Sequence, residues 1–177
     1  MAWGTPLTAV ANSPLNAAQW NSSVRDNLNE TAAAKATTAG SIFVGTGVNT
    51  LAERLILSHS VDTSETTTST TYTSLATNGP VVTAITGTQA LVFTNAQLMN
   101  SGAGASIATY EVTGATTDAS DINRSLIVDN LPTNSVRMGS CNLQTGLTPG
   151  SNTFRILYRV VSGTGTFQRR RLQVMAL

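Results

Sequence analysis

At 177 residues the chain suits one ordinary domain plus an appendage, and a net charge of +1 gives no electrostatic pull toward nucleic acid or an anionic membrane. Only 11% of residues are charged, so Thr, Ser, Asn and Gln must carry the solubility. A single cysteine, Cys141, and a single histidine, His59, exclude a disulfide framework and an ordinary zinc site within one chain. Cys141 reads as a small buried hydrophobe. No run approaches the roughly 18 apolar residues of a membrane helix, and the N-terminus lacks the basic start and apolar block of a signal peptide.

Residues 1–11 are punctuated by Pro and Gly and read as extended. A single helix follows over 13–30, with Ser13 as N-cap and Pro14 at the first helical position. Ala17, Trp20, Val24 and Leu28 recur at helical spacing and form one apolar stripe. A helix this short is unstable alone, so the stripe must dock on something. From Thr31 to Ser60 small residues lead through Gly40 to Ile42-Phe43-Val44, a Gly45-Thr46-Gly47 turn and a second apolar patch from Leu51 through Leu55 to Leu57. This reads as a strand–turn–strand connector with extended ends. One chain could hardly bury Phe43, Leu51 and Leu55, which is a first sign of oligomerisation.

Residues 61–177 contain eight strand-like runs: Thr71–Ala76, Val81–Thr86, Ala90–Leu98, Ala105–Thr113, Ser125–Asn130, Val136–Gln144, Thr153–Val161 and Thr166–Leu177. Turn signals separate them, among them Asn78-Gly79-Pro80, Ser101-Gly102-Ala103-Gly104, Leu131-Pro132-Thr133-Asn134 and Thr148-Pro149-Gly150. Short strands at regular spacing predict a mostly β fold, an eight-stranded jelly-roll-like sandwich behind a short helix and an extended connector. Alternation is cleanest in TFRILYRVV: Phe154, Ile156, Tyr158 and Val160 form the core face. Arg155, Leu157, Arg159 and Val161 form a mixed face suited to a partner chain. In ALVFTNAQL, Val92, Ala96 and Leu98 lie on one side, Leu91 and Phe93 on the other. Apolar groups on both faces of a strand imply a contact surface.

Little in the chain points to catalysis. His59 has Asp62 as its nearest acid but no nucleophile-elbow motif nearby, so it reads as a surface or interface histidine rather than a triad member. Asp118 and Asp121 in TTDASD resemble a turn more than a calcium loop. GTGVNT lacks the third glycine and following helix of a dinucleotide fingerprint. Arg169-Arg170-Arg171 is the sharpest charge feature. Within a strand Arg169 and Arg171 point one way and Arg170 the other, for edge protection or pairing with an acid of another subunit. No enzyme, cofactor or metal is expected.

The opening LTAVANSPLNAAQWNSSVRDNLNE resembles the N-terminal segment of many tailed-phage structural proteins, through Ala17, Ala18, Gln19, Trp20 and Asn21, then Val24, Arg25, Asp26, Asn27 and Leu28. AKATTAGSIFVGTGVNTLAERL is similar to the connector of phage tail-fibre-like proteins at Gly40, Gly45, Gly47, Asn49, Leu51 and Arg54, whereas Ser41 replaces the usual acid and Glu53 is extra. TSTTYTSLAT, then LTPGSNTFRILYRVVSGTGTF and RRLQVMAL, look like the terminal β domain of the same group. The resemblance implies a virion structural protein, tail-fibre-like, minor tail or capsid decoration, and commonly trimeric. It implies an N-terminal attachment segment over 1–30, a connector over 31–60 and a β knob over 61–177. Expected partners are copies of itself, other virion proteins held through Trp20, Val24 and Leu28, and a host-surface glycan. Nucleic acid and membrane insertion are not expected. The implied location is the exterior of a phage particle; a carbohydrate-binding module is the rival reading.

Overall fold

The computed structural model of the chain describes residues 4–5, 7–8, 10–130 and 134–177. Parts of the extended N-terminal segment, and Leu131, Pro132 and Thr133 of a predicted turn, lie outside the described residues. The chain divides into two compact units, Met1–Leu55 and Ile56–Leu177.

In the first unit the helix begins later than the sequence predicts. Asn16, not Ser13, caps it: the Asn16 carboxamide accepts from the Gln19 N–H at 2.9 Å and the Gln19 side chain accepts from the Asn16 N–H at 3.0 Å. This reciprocal box satisfies the first free donors, so helix α1 starts at Ala17 (Ala17–Trp20). It continues as a π-helical turn, Asn21–Arg25, and ends as α2, Asp26–Leu28. Asn27 is buried and grips both the N–H and the carbonyl of Gly4, while Ser23 Oγ accepts from the Leu7 N–H. The extended N-terminal segment is thus strapped to one side of the helix. Thr31 caps a short α3 (Ala32–Lys35).

A hairpin follows, β1 (Ile42–Gly47) against β2 (Thr50–Arg54), with Asn49 at φ 56° in its turn. Glu53 fastens the preceding loop to this hairpin. Its carboxylate accepts from the Thr37 N–H at 3.0 Å, the Thr38 N–H at 2.8 Å and the Thr37 hydroxyl. Those donors, led by the Thr37 hydroxyl and then Ser41, hold its pKa down at about 2.

The second unit is a jelly-roll-like sandwich of two antiparallel sheets. One sheet runs β5 (Val81–Thr86), β10 (Gly150–Val160), β7 (Ala105–Gly114), β8 (Leu126–Asp129). The other runs β3 (Ile56–Val61), β11 (Gly165–Ala176), β6 (Ala90–Asn100), β9 (Val136–Gln144), with β4 (Glu65–Thr67) also on β11. Seven of the eight predicted runs are strands. The eighth, Thr71–Ala76, is not: Ser69 Oγ bonds the Thr71 carbonyl and N–H, bending the chain, and only Thr73 bridges to Tyr158. In its place β3 and β4 join the sandwich, giving nine strands among the described residues. β3 draws Ile56–Ser60 out of the predicted connector, because its backbone pairs with β11 from Ile56↔Met175 to Val61↔Arg170.

The core lies between the sheets, where Phe154, Ile156, Tyr158 and Val160 of β10 face Val92, Ala96 and Leu98 of β6, all essentially inaccessible. Tyr158 donates to the Gly79 carbonyl at 2.9 Å and packs its ring 4.9 Å from that of Phe167. Burial pushes both Tyr158 and Tyr110 hydroxyls above the ordinary phenol value, Tyr110 to about 12.

Candidate functional site

The outer face of the β3–β11–β6–β9 sheet in the second unit carries exposed apolar side chains. Strand register arranges its side chains in rows. Ile56 pairs with Met175, Met175 with Leu91, and Leu91 with Leu143, so one apolar row crosses four strands. Ile56 is 54% exposed and Leu143 53% exposed. The next row is Ser58, Gln173, Phe93 and Cys141. Cys141 is exposed, which corrects the expectation of a buried thiol: on β9 it has the parity of the outward residues.

Toward the other end the face becomes basic. Arg171 pairs with Asn95, and Asn95 with Gly139; Gln97 pairs with Arg137. Arg137 Nε donates to Asn95 Oδ1 at 2.9 Å, and Arg169 donates to Gln97 Oε1 at 3.0 Å. None of these three arginines has a carboxylate partner among the described residues. Gly139 keeps the row open, since a Cβ there would stand 3.1 Å from Asn95 Nδ2. Two shallow depressions result. One of about 210 Å³ is lined by Phe93, Asn95, Arg137, Arg171 and Gln173. The other, about 410 Å³, lies along Phe93, Gly139 and Cys141.

A β-bulge shapes the arginine run. Gln168 faces Gln97 and Arg171 faces Asn95, so three steps on β11 match two on β6, with Arg169 at φ 49°. The extra residue leaves Arg169 and Arg171 outside and turns Arg170 fully inward. Arg170 donates to Thr63 Oγ1 at 2.9 Å, lies 3.7 Å from Glu65 and stacks 5.4 Å over Tyr158. Edge protection is therefore not the role of the run, because β11 lies inside its sheet, between β3 and β6. The sequence sets Arg170 opposite Arg169 and Arg171 but does not mark it as a core residue; the alternation of Phe167, Leu172 and Val174 is out of phase across the run, and that phase slip is the available signal.

The mixed face of β10 is also corrected. Arg155 pairs with Glu111, Leu157 is buried, and Arg159 stacks 5.0 Å from the Tyr72 ring, so the chain itself supplies partners for these three, while Val161 stays exposed. His59 is exposed, with Nδ1 accepting from the Val81 N–H at 3.0 Å. Asp118 pairs with Arg124 at 2.6 Å, which holds its carboxyl below the usual range, and Asp121 accepts from the Asn123 N–H. Among the described residues no group of three or more His, Cys, Asp or Glu could hold a metal.

In the first unit the helix stripe is open: Trp20 is 56% exposed, Leu28 57% exposed and Val24 half-buried. Register sets Phe43 and Leu51 on the hairpin face that carries Glu53; Phe43 is half-buried, while Leu51 and Leu55 are exposed. Every fully buried apolar residue described belongs to the second unit; in the first, Asn27 and Glu30 are the buried ones. No described helix is long and apolar enough to cross a membrane.

No family model and no curated protein matches the sequence. Among solved structures the chain is similar to the Eiger TNF of S. frugiperda, at 10% identity over 70% of this chain and 92% of that one, with a TM-score of 0.48. It is also similar to a chain of the infectious bursal disease virus Gx strain, at 13% identity and a TM-score of 0.43, covering 75% of this chain and 36% of that one. At these values the likenesses add nothing to the strand order itself.

Proposed function

We propose that the chain is a non-catalytic structural component of a tailed-phage virion. It forms a fibre-like homotrimeric projection on the particle exterior, tail-associated and engaged in host-surface attachment. Its N-terminal segment docks on another virion protein and its sandwich forms the distal knob. One observation carries this reading: the apolar surface stays uncovered in a single chain, along the helix stripe and across four strands of one sheet face. The sequence resemblance over residues 7–55, with that of the C-terminal segments, supplies the virion context.

The size of the sheet face supports self-association. Four strands about 4.8 Å apart and about ten residues long at about 3.3 Å each span roughly 600 Å². That approaches the ~800 Å² each partner gives to a standard interface. The arrangement calls for neither nucleic acid nor membrane insertion. Sedimentation equilibrium of the purified chain tests the oligomer, and electron microscopy of virions labelled through the chain tests the location. A trimer on tails is expected; a monomer at all concentrations overturns the self-association, and label on heads moves the chain to capsid decoration.

A further inference from the structure

The 210 Å³ depression is lined by donors whose acceptors are missing. Asn95 Oδ1 is already used by Arg137 Nε, which leaves Asn95 Nδ2 pointing elsewhere. Among the described residues neither Arg171 nor Gln173 makes a side-chain hydrogen bond, and nor do the terminal nitrogens of Arg137. Arg171 on β11 and Arg137 on β9 flank the β6 strand that carries Asn95 and Phe93. Guanidinium forks approaching one hollow from two sides suit a planar or tetrahedral oxyanion.

Counter-charge from the chain is scarce. Glu65, Glu111 and Asp118 are committed to Arg170, Arg155 and Arg124. Asp62, exposed just after β3, and Asp129, exposed at the end of β8, make no ion pair among the described residues. Bringing copies together through the apolar row would bring Arg137, Arg169 and Arg171 of each copy close, with three positive charges per copy and little to offset them.

We infer that the depression between Arg137 and Arg171 binds a multivalent oxyanion such as phosphate or sulfate, and that filling it strengthens association through this sheet face. The second half rests on the proposed self-association. The test uses the full chain and inorganic phosphate, replacing chloride at constant ionic strength and neutral pH. Calorimetry reads binding and sedimentation equilibrium reads assembly.

Phosphate should bind the wild type and raise its association constant about tenfold or more, the size of a typical coupling between sites. In the Arg137→Gln, Arg171→Gln double variant both effects should vanish. Association in chloride should match or exceed that of the wild type, because the repulsion is gone. Circular dichroism confirms that the variant is folded.

Phosphate binding with no change in assembly overturns the linkage, and absence of binding overturns the site, while an assembly seen in either case leaves the structural reading standing. A chain that never associates, with or without phosphate, removes the reading beneath it. Loss of assembly in Asp62→Asn with no phosphate response assigns the counter-charge to a neighbouring copy's carboxylate and also overturns the site.

Discussion

On the outer face of the β5–β10–β7–β8 sheet, Thr83 and Thr153 share a hydrogen bond, Arg155 pairs with Glu111, and Arg159 stacks on Tyr72. Ile107, Thr109 and Leu157 have the outward parity there and are nonetheless buried, with the Thr109 hydroxyl bonded to the Asp121 carbonyl. The segments around Tyr72 and Asp121 also continue the edges of the sheet where β5 and β8 stop, through Thr73↔Tyr158 and Val112↔Asp118. Across the core, the outer face of β3–β11–β6–β9 has no such cover. Its apolar row is open and its arginines meet only amides. Two long loops cover the middle of the first face and leave Ile85 open on β5, whereas on the second Ile56, Phe93 and Leu143 all stay exposed. Under the proposed self-association, the difference marks the face whose burial a second copy would complete.

Placing one charge on each face breaks the comparison most directly. Leu157→Lys sets an ammonium under the loops between Arg155 and Arg159 on the same face, and an unpaired buried charge costs about 3 kcal/mol or more. The urea midpoint should collapse or the knob fail to fold; a midpoint near wild type would mean that the loops do not seal this face. Leu143→Asp on the bare face should leave the urea midpoint of the dilute chain within about 0.5 kcal/mol of wild type. Its effect appears in assembly, where the lost burial of one leucine, about 1.5–3 kcal/mol per copy, weakens association at least tenfold. Equal destabilisation by both substitutions would erase the distinction between the faces.

Much of this contrast is legible in the sequence. β5 and β9 fall on the residues that alternation picks out, because each strand has one face in a single continuous core. The outward Leu91 and Phe93 are readable for the same reason. What sequence cannot supply is which outward residues a loop will cover, since Leu157 and Leu91 have the same local pattern and differ only in distant chain above them. β3 is missed because the inward parity of its ILSHSV holds a histidine between Leu57 and Val61, and its pairing is decided by β11, over a hundred residues away. The helix start is missed because Ser13-Pro14 and Asn16-Gln19 are both good signals, and only the reciprocal Asn16–Gln19 bonds select between them. Glu53, the residue foreign to the resembled connector, turns out to anchor the loop at Thr37 and Thr38, a role that needs three dimensions to see.

The same division runs through the first unit on a smaller scale. Asn27 and Ser23 hold the N-terminal strap, whereas Trp20 and Leu28 touch little of their own chain. Asn27→Ala should therefore free the Gly4 backbone and raise its amide exchange, by about 1–2 kcal/mol of lost hydrogen bonding. Under the proposed virion role, Trp20→Ala should leave both units folded and reduce incorporation into particles, measured as the amount of chain in purified virions relative to wild type. Undiminished incorporation would detach the stripe from any anchoring role.

Acid offers the gentlest probe, and it discriminates between a tie made by charge and one made by packing. Glu53 titrates at about 2 in the folded chain against an ordinary value of 4.5, because it accepts from Thr37, Thr38 and Ser41. A carboxylate depressed on folding adds stability that is complete above its unfolded value and disappears as pH falls through its folded one. The loop at Thr37–Thr38 should thus loosen between about pH 4.5 and 2, seen as rising side-chain mobility by NMR. The Leu157 and Phe154 methyl and ring signals, held by packing, should stay unchanged through the upper part of that window. Glu53→Gln should remove the pH dependence and leave the loop loose throughout. If the loop is equally tight at both ends of the window, the carboxylate is not what fastens it, and the hairpin must hold its loop by backbone pairing alone.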